Sequence, residues 1–311
     1  MSNNRNQQIE EISTAKLMWQ LTRPHTLTAT FSPVILGTAL AMFDVKINWL
    51  LFIAMLVCCL CLQIATNLFN EYYDFKRGLD TAESVGIGGA LVRHGTKPQT
   101  VLNFALLLYA IAVVLGVYIC MSSSWWLVAI GAAGMTIGYL YTGGPFPIAY
   151  TPFGELFAGL SMGFAFVLIS YFIQAGSISI VSLLVSIPVG ILVGGINMSN
   201  NIRDIKEDTI GGRKTLAILL GRENSINLLG LSFVVAYVWM IVLVILGIVS
   251  PWLLVVLISI PKPITAIKSF KEGEREPAKL GLAMKSTAMT NTFYGLLSSV
   301  GLLLSYFFEK I

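Results

Sequence analysis

Two short acidic runs stand in a chain otherwise poor in charge. Asn67 to Asp80 reads NLFNEYYDFKRGLD and Asn200 to Asp208 reads NNIRDIKED, and each lies where a long apolar stretch stops being apolar. Carboxylates at the edge of a hydrocarbon layer are costly unless paired or bound to a cation. Asn70 and Asp74 are four residues apart, so on a helix they leave one face about 40° out of register, as do Asn200, Asp204 and Asp208. Such rows of oxygen atoms suit magnesium, a hard ion that takes a few carboxylates and completes its shell with water and substrate phosphate. Two such helices facing one another can hold a diphosphate through bridging Mg2+. Gly78 stands where the first row would continue; if it ends the helix, Asp80 can bend back to the same site. Glu71 is turned about 100° from Asn70 and is expected to be a solvated loop charge.

A diphosphate also needs cations. Arg77, Arg93, Lys97, Arg203, Arg213 and Lys214 lie in the two acidic connections, and the planar fork of arginine matches phosphate oxygens in pairs. The same residues also satisfy the simple bias of positive charge toward the inner face of a membrane. Arg93 is favoured for a ligand, because VGIGGALVRHG places it beside glycines that let backbone fold closely over a bound group. Tyr139 and Tyr141 precede TGGPFP, where glycine and proline break a helix. They are either an aromatic wall for an allylic cation or part of an interfacial belt. Arg23, before Pro24 and His25, meets either a substrate carboxylate or a lipid phosphate. His25 and His94 lack metal-ligand spacing.

The elements that must position these groups follow from composition. Of 311 residues 56% are hydrophobic and 12% charged, and apolar stretches recur near the roughly 20 residues that cross a bilayer. Nine can be drawn, at 27–43, 49–70, 101–119, 125–142, 153–173, 179–200, 223–247, 251–267 and 286–307. Their lengths fit helices rather than barrel strands of about ten alternating residues, so the fold expected is an all-α polytopic bundle. With the N-terminus inside, 17 of the 20 Lys and Arg fall in the inner regions 1–26, 71–100, 143–152, 201–222 and 268–285. Only Lys46 and Lys310 lie outside, which matches the positive-inside rule and puts both acidic runs on the cytoplasmic side, with the C-terminus outside. Lys262, between Pro261 and Pro263, either meets an acceptor carboxylate or snorkels to the surface. Short outer turns contrast with long inner connections, the place expected for chemistry. Residues 1–26 read as a cytosolic or interfacial tail without the pattern of a cleavable signal, and 27–311 as one transmembrane domain. Cys58, Cys59, Cys61 and Cys120 lie in apolar stretches and read as small lipid-level side chains.

Taken together, these motifs resemble the two aspartate-rich motifs of the UbiA superfamily of intramembrane prenyltransferases, over nearly the whole chain. NLFNEYYDFKRGLDT, GIGGALVRHG, YTGGPFPIAYTPFGE and NNIRDIKEDTIGGRKTLAILLG look most like the menaquinone-pathway branch of that superfamily. The resemblance implies nine helices around a cytoplasm-facing cavity in the cell membrane. It also implies Mg2+-dependent transfer of a polyprenyl group from polyprenyl diphosphate to 1,4-dihydroxy-2-naphthoate, with loss of carbon dioxide. It assigns the metal to Asp74, Asp80, Asp204 and Asp208 with Asn70 and Asn200, and cation stabilisation to Tyr139 and Tyr141. Substrate contacts are expected from Asn70, Asn200, Asn201, Arg77, Arg93, Lys97, Arg203, Lys214 and Arg23. Gly78 departs from the superfamily's third acid, a duty that passes to Asp80. Other acceptors, such as 4-hydroxybenzoate, and an ion-coupled carrier are the competing readings. A carrier should hold its acids near the bilayer midplane on broken helices.

Overall fold

The computed structural model describes residues 14–79, 91–92, 96–273, 275–276 and 278–309. Among these residues every regular element is helical. A short helix α1 (Thr14–Leu21) leads through a single turn at Pro24–Thr26 into α2 (Thr28–Ala41). The long helix α3 (Trp49–Lys76) is followed by α4 (Pro98–Ser122), α5 (Leu127–Leu140), α6 (Gly154–Ala175) and α7 (Ile180–Arg203). Two short helices, α8 (Ile205–Ile210) and α9 (Leu216–Leu220), precede α10 (Arg222–Ile245), α11 (Pro251–Glu272) and α12 (Ala278–Phe308).

Seven of these helices, α3, α4, α6, α7, α10, α11 and α12, are long and apolar enough to cross a membrane; α2 and α5 are shorter apolar helices. The chain is a multi-pass membrane protein. Trp49, Trp125, Trp126 and Trp252 are exposed at connections on one end of the bundle, as amphipathic rings at a membrane interface are. The helices outrun the apolar stretches that announce them. α3 continues six residues past 70 and so carries Asn70 and Asp74 on ordered helix, and α12 starts eight residues before 286. α11 is wound as a tight 3₁₀ helix over Pro251–Ser259 before relaxing to α from Pro261. Pro251, Pro261 and Pro263 each remove a donor from that stretch. Lys262 does not reach the cavity described below; its amine lies 5.7 Å from the Phe293 ring centre.

Two hydrophobic clusters organise the packing. One gathers α2, α7, α10, α11 and α12 around Val189, Met240, Phe270 and Tyr294; the other gathers α3 and α4 around Leu68, Phe69, Val101 and Ala105. α6 and α7 are joined through glycine. A Cβ on Gly159 would lie 2.5 Å from the Gly190 carbonyl oxygen, and one on Gly163 would lie 2.6 Å from the Gly190 Cα. Backbone contact of this kind is how membrane helices associate without a hydrophobic driving force. α6 is π-wound over Gly159–Phe164, the stretch that makes the contact. The four cysteines are buried and unpaired.

Candidate active site

Asn70 and Asp74 occupy the last turns of α3, and the way that helix ends is written in its sequence. Gly78 takes φ +70°, the left-handed conformation that glycine adopts without strain. The Gly78 N–H donates to the Phe75 carbonyl (3.0 Å) and the Leu79 N–H to the Asp74 carbonyl (3.0 Å), a full Schellman closure. Leu79 then lies against the second run, where a Cβ on Gly211 would stand 2.6 Å from Leu79 Cδ2. Asp80, Arg93 and His94 lie outside the described residues.

The second run departs from a continuous helical row. α7 stops at Arg203, Asp204 takes φ −95° and ψ 11°, and α8 restarts beyond it. Gly212, at φ +73°, turns the chain so that the Arg213 N–H donates to the Asp208 carbonyl (2.9 Å). The Arg213 guanidinium then donates to Asp208 Oδ1 at 2.9 Å and to Asp74 Oδ1 at 2.7 Å. One cation therefore joins the two acidic runs, and the Tyr150 ring, 5.2 Å away, covers it. Asp208 is buried and its Oδ2 has no partner. Burial raises its carboxyl to about 6, with Arg213 opposing the shift and Asp204 and Asp74 adding to it. The Arg213 guanidinium is held still more firmly protonated by Asp74 and Asp208, despite its burial. Asp204 is paired with its neighbour Arg203, which donates to both its oxygens and also reaches Met284 Sδ (3.1 Å).

Beside this pair of runs a cavity of about 470 Å³ enters the bundle. Its polar end is formed by Arg23, Gln63, Asn67, Asn70, Asn197 and Asn200. Asn70 Oδ1 is buried there without a partner, and Asn197 lies beside the Tyr141 hydroxyl. The rest is apolar, walled by α3 to α7. On α3 the lining residues Met55, Cys58, Leu62, Thr66 and Asn70 follow helical spacing, so the cavity runs along about 22 Å of that helix. Gln63 Nε2 donates to the Thr26 carbonyl (2.8 Å) and Asn67 Nδ2 to the Thr22 carbonyl (3.1 Å), which fixes the segment carrying Arg23. Arg23 itself stands at φ 51°, strained for a side chain followed by proline.

The expected site residues divide. Asn70, Asn200, Tyr141 and Arg23 line the cavity, and Asp74 and Asp208 meet through Arg213. Tyr139 is turned elsewhere: its hydroxyl meets that of Tyr73 at 2.8 Å and its ring packs edge-on to Phe69. Asn201 points away from the cavity and donates to Glu155 Oε1 (2.8 Å). Lys97 and Lys214 are exposed, and Arg203 is occupied by Asp204. Arg77 donates to the carbonyls of Thr142 and Gly144 and lies 5.4 Å from the ring centres of both Tyr73 and Tyr150. It ties the end of α3 to the chain after α5. Arg77→Met should therefore lower the thermal stability by about 1–3 kcal/mol without moving the donor KM. A donor KM that rose with unchanged melting would assign Arg77 to the diphosphate instead.

Glu71 is buried rather than solvated. Its Oε1 accepts the Leu91 N–H (3.1 Å) and its Oε2 lies 3.9 Å from Arg23. Sequence reasoning missed Asn197 and Glu155. Asn197 was findable, since it continues the Asn200 and Asp204 face one turn earlier. Glu155 had no local signal, because its partner Asn201 is 46 residues away.

An apolar cavity inside a membrane bundle, with two carboxylates joined through Arg213 one helical turn beyond its Asn70, suits a long apolar molecule bearing a polar head. The same fold is found in a UbiA homolog from Aeropyrum pernix K1, with TM-score 0.64 and 17% identity, over 91% of this chain and 98% of that one. It is also found in a UbiA homolog from Archaeoglobus fulgidus bound to GPP and Mg2+, with TM-score 0.59 and 14% identity, over 91% and 99%. The UbiA prenyltransferase family model matches residues 30–286, and the chain belongs to that family. It is 67% identical to the 1,4-dihydroxy-2-naphthoate octaprenyltransferase of Bacillus subtilis (strain 168), over 95% of this chain and 94% of that protein.

Proposed function

We propose that this protein transfers a polyprenyl group from polyprenyl diphosphate to 1,4-dihydroxy-2-naphthoate, releasing diphosphate and carbon dioxide, with demethylmenaquinone as the product after oxidation. The observation that carries the reading is the meeting of Asp74 and Asp208 on one cation, one helical turn beyond Asn70, which lines the polar end of an apolar cavity. The 67% identity to a protein bearing that activity's name selects the acceptor. The chain is oriented with nine helices in the cytoplasmic membrane, N-terminus and active site on the cytoplasmic side and C-terminus outside. The lysine and arginine bias supports that orientation.

The donor set fits Mg2+. Among the described residues no three His, Cys, Asp or Glu side chains gather into a metal cage, but magnesium at phosphate sites takes few protein ligands. The free Oδ2 of Asp208 and Oδ1 of Asn70 are buried oxygens awaiting a donor or cation, and Arg213 marks where positive charge is stable between the runs. Asp74, Asp80, Asp204 and Asp208, with Asn70 and Asn200, would hold the ion. Once bound, it neutralises the leaving diphosphate. The apolar walls accept the prenyl chain and keep water from the allylic centre, and Tyr141 presents its ring to that centre. The electron-rich naphthoate carbon attacks the allylic carbon as the bond to diphosphate breaks. The bond to the carboxylate then breaks, and its electron pair restores the aromatic ring.

Arg23 is the one Lys or Arg among the described residues lining the cavity, and its nearest carboxylate, Glu71, stands off at 3.9 Å. In this reading it receives the acceptor carboxylate. Arg23→Ala should raise the acceptor KM at least about tenfold, as expected for a lost charge-assisted hydrogen bond, and leave the donor KM in place. An unchanged acceptor KM would remove Arg23 from the site. The reading as a whole is tested by incubating the purified protein with Mg2+, a polyprenyl diphosphate and a panel of aromatic acids, with mass spectrometry of the lipid extract. Prenylated, decarboxylated product from the naphthoate alone is expected. Equal product from 4-hydroxybenzoate would overturn the acceptor, and ion-coupled uptake into vesicles without any product would overturn the enzyme.

A further inference from the structure

Arg213 is fixed along its backbone and only partly engaged at its side chain. Its N–H donates to the Asp208 carbonyl (2.9 Å), and the N–H of Lys214 donates to the Tyr150 carbonyl (3.0 Å). The side chain is therefore the part that can turn. Its guanidinium gives one donor to Asp208 Oδ1 and one to Asp74 Oδ1. Among the described residues its Nε is buried with no acceptor, and Asp208 Oδ2 is buried with no donor in a residue only 6% exposed. A permanent buried ion bridge uses up its donors and acceptors, because each one left over is costly. This one keeps an unused donor on the cation and an unused acceptor on the anion. Asp204 already has both its oxygens on Arg203, so Asp74 and Asp208 share Arg213 as their counter-charge. The Tyr150 ring centre lies 5.2 Å from the Arg213 guanidinium and 5.4 Å from that of Arg77, which is itself tied to the carbonyls of Thr142 and Gly144. A ring face anchored in this way supports a guanidinium in more than one orientation.

We propose that Arg213 is an exchangeable counter-ion, which holds the Asp74 and Asp208 oxygens until a divalent ion and a diphosphate arrive together and then passes to the diphosphate. The inference rests on the function proposed above. The ion and the guanidinium compete for the same two Oδ1 atoms. An ion by itself must displace a buried cation and leave it without a counter-charge. A diphosphate removes that penalty, because its oxygens accept the arginine fork in pairs and can take the unused Nε–H as well. Ion and diphosphate each raise the other's affinity, and by linkage they do so by the same factor. The consequence is a site that resists a metal in the absence of donor and takes both at once.

The test titrates Mn2+, a paramagnetic substitute for Mg2+, into the purified protein and follows the free ion by electron paramagnetic resonance. It is run with and without geranyl thiolodiphosphate, whose bridging sulfur resists departure, and parallel titrations lacking protein account for the ion that the analogue binds. In wild type the analogue should tighten Mn2+ binding at least about tenfold. Without the analogue, Arg213→Met should bind Mn2+ at least about tenfold more tightly than wild type, and adding the analogue should then gain less than about threefold. Arg213→Lys keeps the charge but lacks the planar fork that spans both carboxylates. It should fall between the two, and it carries the test if the methionine variant does not fold. Mn2+ binding without analogue that is no tighter than wild type in the folded variants overturns the exchange, as does wild-type binding that the analogue leaves unchanged. Wild-type protein that binds no Mn2+ even with the analogue overturns the metal-dependent function and this inference with it, which keeps the two failures apart.

Discussion

Asp208→Asn will lower prenyl-transfer turnover about a thousandfold, or about 4 kcal/mol of transition-state stabilisation, in a bundle that stays folded. Asparagine keeps the shape and the oxygen that accepts from Arg213 at 2.9 Å, but it removes the charge. That charge is expensive where it stands: burial pushes the carboxyl up to about 6 even with a guanidinium in contact, and its second oxygen has no partner. A folded protein keeps such a group for its electrostatics rather than for packing. Asp74, 2.7 Å from the same guanidinium, faces it across the two halves of the chain. Asp74→Asn should cost a similar factor, and the double variant should cost much less than the product of the two, because both act on one charged assembly. The measurement is kcat for the naphthoate reaction over a magnesium titration, with helical content and melting as the check on folding. Wild-type kcat in both single variants at every Mg2+ concentration, low as well as saturating, would sink the metal assignment. Recovery of Asp208→Asn at high Mg2+ alone would move the residue from chemistry to metal affinity.

Much of the architecture was legible because a membrane leaves few choices. Apolar runs of the right length must be helices that satisfy their own backbone, and the nine stretches drawn from sequence correspond to seven long helices and two shorter apolar ones among the described residues. The pairing of Asn70 with Asp74 followed from helical geometry alone. The same geometry separates residues that the sequence grouped together. Tyr139 and Tyr141 are two residues apart, about 200° around a helix, so one lines the cavity while the other joins Tyr73 and Phe69. Asn201, about 100° from Asn200, turns to Glu155 for the same reason. Other features lay beyond any local pattern. The break at Asp204 and the left-handed Gly212 bring Arg213 back onto Asp208, and its reach to Asp74 spans 139 positions of sequence. Sequence supplied that arginine as one of six cations named in the two acidic connections and held nothing to single it out. Likewise the burial of Glu71 follows from the approach of Leu91 and Arg23, which only the folded chain defines.

Gly163→Val will lower the stability of the bundle by about 3 kcal/mol or more, in the range of severe overpacking, and activity will fall with it. The glycine has no room for any side chain: a Cβ would lie 2.6 Å from the Gly190 Cα and 2.8 Å from the Val189 carbonyl oxygen. These are backbone atoms of α7, which unlike a flexible side chain cannot swing aside, so the helices must separate. Separation is transmitted to the site because α7 carries Val193, Ile196, Asn197 and Asn200 along the cavity and ends at Asp204. Gly159 and Gly194 share the seam, with Cβ positions 2.5 Å from the Gly190 carbonyl oxygen and 2.9 Å from the Glu155 carbonyl oxygen, so no neighbouring slack absorbs the shift. Gly281→Ala is the control. It lies on α12 with nothing within 4 Å of its Cβ, and it should hold or raise the melting temperature as alanine does in an exposed helix. Thermal melting in detergent or nanodiscs reads both variants. If Gly163→Val melted with the wild type, α6 and α7 would have to be held by something other than glycine contact, and the π-wound turn at Gly159–Phe164 would lose its explanation as the fit between them.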